Sequence, residues 1–273
     1  MVANTISDQK YNLDILTIMA IAAVAISLNI AFHEGVHAFT CKLVGGQLKA
    51  YSALYVSCEC QTLVQRKIVD GSAPIMNILL GTLLWFFVSR FRKISDESWF
   101  FLWLFMLMNF LYGSGYLIFS GIANVGDFAT VIQDWQPPWL WRVGIIAIGA
   151  CLFLFFVWLA LIELGKMIGG RAKKYISRAN RLALISYFTS LIVVVIAGFF
   201  NPYGLLSLPV IAGLSAVLGG LSPLLWMMHW FQATIFTKID KKPLQINRNW
   251  AWISSAVAVL FLYTYVLGST LKF

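Results

Sequence analysis

A chain of 273 residues in which hydrophobic side chains make up 60% and charged ones only 11% is not a water-soluble domain, where charge occupies about a quarter of the sequence. Mean hydropathy is +0.81, which selects a multi-pass protein of the lipid bilayer. The net charge of +9 does not point to nucleic acid, because the bases sit in short loops between apolar runs, where membrane topology accounts for them.

Met1 to Asp14 is polar, and the apolar stretch after it is longer than the roughly 7 to 15 residues of a signal-peptide core, so the first span is expected to stay in the mature protein. Stretches of about 20 apolar residues predict membrane spans. There are seven: Leu13 to Cys41, Ser72 to Ser89, Trp99 to Asn124, Val143 to Leu164, Leu182 to Phe200, Leu208 to Phe236 and Trp250 to Leu271. The expected fold class is an all-α polytopic transmembrane helix bundle, with a short strand-like segment after the first span.

The first span carries His33-Glu34-Gly35-Val36-His37, the HExxH pattern. Three His and four Glu in 273 residues would produce it by chance in roughly five chains in ten thousand. On a helix, histidines four apart share a face and can share a metal, while Glu34 projects to one side, near a metal-bound water. The bland reading is a pair of hydrogen-bonded bundle histidines with an accidental Glu. Against it stands the cost of a glutamate so close to an uncharged membrane stretch, which is rarely borne without a function.

Gly45-Gly46 is expected to end the first helix, and Gln47 to Ser57, with apolar residues interleaved among small polar ones, reads as a strand or hairpin at the membrane surface. Four cysteines, Cys41, Cys58, Cys60 and Cys151, are too few and too scattered to predict a disulfide framework. Cys41, one turn past His37, is a minor candidate for the metal, small apolar filler being the commoner role.

The third span presents Asn109, Gly113, Tyr116 and Ser120 on one stripe, small and polar enough for close helix packing in lipid. Its exit end leads to Asp127 on the same membrane face as the end of span 1, which makes Asp127 the candidate third metal ligand. Asp134, in the following Trp- and Pro-rich loop, is the rival. Glu163 and His229 lie near the exit ends of even-numbered spans and are expected at the opposite face. The sixth span contains Pro209, Gly219, Gly220 and Pro223, so it is expected either to kink or to dip in and return.

Loops after spans 2, 4 and 6 hold thirteen Lys and Arg, against five in the loops after spans 1 and 3. The positive-inside rule then puts the N-terminus and the even loops in the cytoplasm and the HExxH end of the bundle outside.

HExxH in a first core span, Ala73-Pro74-Ile75-Met76-Asn77 opening the second and an acidic third ligand on the third core span resemble the site-2 protease (M50) group of intramembrane zinc metalloproteases. The resemblance covers about Leu13 to Thr130, and it implies a three-span catalytic core over residues 13–130, with residues 131–273 as additional spans. It further implies Zn2+ held by His33, His37 and Asp127, Glu34 as general base, and Asn77 as a polar contact to substrate or to the polarised carbonyl. Here Asn109 is far from Asp127 and the local string is Gly-Asp-Phe, whereas better-known members have Asn-Pro-x-x-x-x-Asp-Gly. From residue type alone, Asn77 equally suits a helix-helix hydrogen bond. The expected activity is endopeptidase cleavage of a transmembrane protein or peptide substrate. The alternative is a non-proteolytic metal-binding scaffold or a transporter, and the near absence of ionisable residues within spans 4 to 7 argues against transport.

Overall fold

The computed structural model describes residues 12–90, 94–168, 173–231 and 243–273. Of the loop bases used for orientation, Arg92, Lys93, Arg171, Lys238, Lys241 and Lys242 lie outside the described residues, as do Met1 to Tyr11. Seven helices among the described residues are long and apolar enough to cross a membrane, matching the seven predicted spans.

α1 (Ile15–Leu43) starts at Asp14, whose carboxylate accepts from the Thr17 amide at 2.9 Å, satisfying one of the first-turn donors left without an intrahelical partner. It stops in a Schellman motif: Gly46 N–H donates to Cys41 O at 2.8 Å and Gly45 N–H to Lys42 O at 3.1 Å, with Gly45 at φ 77. Apolar all round, α1 is the central helix and packs on α2 (Leu63–Arg90), α3 (Asp96–Ala123), α6 (Lys173–Phe199) and α9 (Trp250–Leu260).

Small residues set the distances between neighbouring helices, as expected where lipid supplies little drive for helix association. A Cβ on Gly113 of α3 would lie 2.6 Å from the Pro74 carbonyl of α2, and one on Gly149 of α5 (Pro138–Ile168) would lie 3.0 Å from the Ile118 amide. Only glycine permits these crossings.

After α1, β1 (Gln47–Tyr51) and β2 (Val56–Glu59) form the expected antiparallel hairpin. A third strand, β3 (Leu271–Lys272), arrives from the C-terminus to pair with β1, giving the order β2-β1-β3 and leaving β2 at an edge. The sixth span is interrupted: α7 (Leu208–Ser215), a π-helical segment Ala216–Gly220, then α8 (Pro223–Phe231).

That span crosses the bundle and does not turn back. At one end of the molecule the residues before α9 meet the starts of α1 and α3 and the end of α5: Arg248 pairs with Asp14 at 2.9 Å, Asp96 accepts from the Gln245 amide at 2.7 Å, and Met167 O from the Leu244 amide at 2.8 Å. At the other end, Phe273 N–H donates to Lys49 O at 3.0 Å. The two described ends of the chain thus lie at opposite faces, as an odd number of spans requires.

Candidate metal centre

α3 ends on Asn124, which takes the left-handed conformation at φ 55, and Gly126 follows at φ 88. This reversal starts the short helix α4 (Asp127–Ile132), which is pinned by the Phe128 amide donating to Ser120 Oγ at 3.2 Å. Asp127 is therefore the first residue of a separate helix, turned back toward α1. Its Oδ2 lies 3.3 Å from His33 Nε2 and 3.5 Å from His37 Nε2. All three ligand atoms fall within 4.8 Å of one another, so His33, His37 and Asp127 form a buried group that can hold a metal ion.

The opposite ring nitrogens are committed elsewhere. His37 Nδ1 is 2.8 Å from Val69 O, and a carbonyl only accepts, so Nδ1 carries the proton. His33 Nδ1 is 2.7 Å from Asn77 Oδ1. The amide of Asn77 is oriented in turn, because its Nδ2 donates to Asn109 Oδ1 at 2.8 Å while Asn109 Nδ2 donates to Phe105 O at 2.8 Å. One backbone carbonyl thus sets the direction of the whole relay and fixes His33 with a proton on Nδ1. In the neutral rings both Nε2 atoms present lone pairs to a buried carboxylate oxygen that makes no hydrogen bond among the described residues. Three acceptors facing one another would be satisfied by a shared cation, and two imidazoles with one carboxylate form a donor set that suits Zn2+. Were both rings protonated instead, burial would oppose the charge on Asp127, but His37 and His33 would outweigh it and hold the carboxyl below the ordinary range.

Glu34 is buried and, with the three candidate ligands, lines a cavity of about 560 Å³. Asn77 does not line it. Fully buried, its amide is taken up by His33 and Asn109, a contact that orients a candidate ligand histidine. Asp134 is separated from the site, half-exposed and paired with Lys67, whose hydrogen bond holds the carboxyl below its usual value. Glu163 pairs with Lys166, and His229 bonds the Trp226 carbonyl; neither lines the cavity.

Two features escaped the sequence reading. Tyr116, read as helix packing, stacks on the His33 ring at 4.7 Å. Cys41, weighed as a ligand or a filler, forms a disulfide with Cys58 that ties the last turn of α1 to β2. A Cβ on Gly46 would meet Cys58 Sγ at 2.9 Å and Cys41 Sγ at 3.1 Å, so this glycine leaves the space the bond occupies. Comparison with protein-family models, curated proteins and solved structures finds no match to this chain.

Proposed function

We propose that the chain is a membrane-embedded zinc metalloendopeptidase, of the site-2 protease kind, that cleaves peptide bonds in or near transmembrane segments of other proteins. The observation that carries this reading is the convergence of His33 Nε2, His37 Nε2 and Asp127 Oδ2, with Glu34 opening into the same cavity. When bound there, Zn2+ supplies Lewis-acid activation of a water and of the scissile carbonyl. Glu34 takes the proton of the attacking water and returns it to the leaving amine. Asn77 and the Val69 carbonyl keep each imidazole turned with Nε2 inward, and Tyr116 packs over the His33 ring.

A peptide bond within a helix is shielded by its own hydrogen bonds, so the substrate must be drawn out locally. β2 offers an edge for this: Val56, Ser57 and Cys58 line the cavity, and an extended segment added there would lie across it. A second cavity, about 350 Å³ and mostly apolar, shares Tyr116, Phe119, Ala212 and Ser215 with the first. The shared residues place the two cavities side by side. The Cys41–Cys58 bond favours an oxidising compartment at this end, in agreement with the loop charges.

Glu34→Gln tests the reading, because it keeps the side chain's shape and removes the base. The variant is expected to fold and to bind about one Zn2+ per chain as the parent does, while cleavage of a transmembrane substrate falls roughly 10² to 10⁴-fold. Zinc in both forms with cleavage in neither, over a panel of transmembrane substrates, would favour the binding scaffold. Full metal content in His33→Ala and His37→Ala would remove the site altogether.

A further inference from the structure

Beside the Cys41–Cys58 disulfide lies a third sulfur. Cys60 is a free, half-buried thiol whose Sγ is 3.5 Å from Cys58 Sγ. The proximity follows from the chain itself, since residues two apart on an extended segment point the same way, and β2 runs to Glu59. Cys58 and Cys60 both line the cavity of the metal centre, while Cys41 is fully buried. The thiol is therefore reachable from solvent and already in contact with the shared sulfur of the bond.

We propose that Cys41, Cys58 and Cys60 form a thiol–disulfide exchange site. Cys60 attacks Cys58 Sγ; the Cys58–Cys60 bond forms, the Cys41–Cys58 bond breaks, and the proton given up by Cys60 ends on Cys41. No oxidant or reductant is consumed. The exchange moves the covalent tie off α1, at a position one helical turn beyond His37, and closes a small loop within β2 and the residue after it. Burial and the charge of Asp70 raise the Cys60 thiol, with Arg66 opposing them, so the resting form is the thiol beside an intact Cys41–Cys58 bond.

The exchange does not depend on what the metal centre does, and its test reads sulfur connectivity alone. Full-length protein in detergent is incubated without reductant, quenched in acid, blocked with N-ethylmaleimide and mapped by mass spectrometry of its peptides. A peptide linked through Cys58–Cys60, with Cys41 alkylated, is expected beside the Cys41–Cys58 pair and is expected to be lost in Cys60→Ser. A wild-type protein that yields only Cys41–Cys58, with Cys60 alkylated at every incubation time, overturns the proposal. In Cys41→Ser, oxidised glutathione is expected to link Cys58 to Cys60. That link appearing in Cys41→Ser but never in the wild type also overturns it, because Cys60 would then reach Cys58 only once Cys41 is gone.

Discussion

At His33 the position of one proton is decided three groups away. Phe105 O accepts from Asn109, Asn109 from Asn77, and Asn77 from His33, so the ring keeps Nε2 free for a metal. Removing the middle of the relay is informative. Asn77→Ala is expected to leave the protein folded but to lower zinc affinity roughly 10 to 100-fold, as loss of a histidine's orienting partner does, measured by competition with a chelator. Unchanged affinity would reduce Asn77 to helix packing. The two acids near the site separate in the same assay. Asp127→Ala is expected to weaken metal binding, whereas Asp134→Ala removes only a half-exposed pair with Lys67 and is expected to leave it unchanged; the reverse ranking would relocate the third ligand.

Helices meet where glycines and caps allow it. Gly113 brings α3 against the carbonyl of Pro74, and Asn77 lies less than one turn further along α2. Gly113→Val would drive a branched side chain into backbone, and overpacking of this kind costs about 1 to 3 kcal/mol. The expected result is a lower unfolding midpoint together with weaker zinc binding, because the same shift parts Asn77 from Asn109. The start of α1 provides a pH-dependent element. Burial works against the charge on Asp14, but its bonds to Thr17 and its pair with Arg248 outweigh that and hold the carboxyl below the ordinary range. A depressed carboxyl stabilises the fold above its unfolded value of about 3.9, and the gain is lost as pH falls through the folded value. Asp14→Ala should therefore cost about 1 kcal/mol near neutral pH, with the gap to wild type closing in strong acid. A gap that persists there would mean that Asp14 acts through shape and not charge.

Over the whole molecule, three contacts join the start of α1, the start of α3, the end of α5 and the residues before α9 at one face. The metal centre, the sheet and the disulfide gather at the other. The proposed orientation, with the face of the metal centre outside, rests on the positive-inside bias of the loops and on the disulfide. In a variant with Cys60 and Cys151 replaced by Ser, a cysteine at Gln136 is expected to react with an impermeant thiol reagent in intact cells and one at Asn247 to be shielded. The reverse pattern would return the metal centre to the cytoplasm.

The seven spans, the HExxH pair and the hairpin after α1 were legible in the sequence because each rests on a local rule: run length against bilayer thickness, helical period, and alternation bounded by glycines. Asp127 was legible by parity alone. Its approach to the histidines depends on the left-handed Asn124 and on Gly126, which carry it off α3 and back toward α1. Asn77 showed its type but not its task, since an amide between two helices serves a neighbour or a substrate according to which atoms surround it. The Cys41–Cys58 bond, the stacking of Tyr116 on His33 and the pairing of β3 with β1 join positions 17, 83 and about 220 residues apart. No local period encodes such contacts; they exist only once packing has brought the helix ends together.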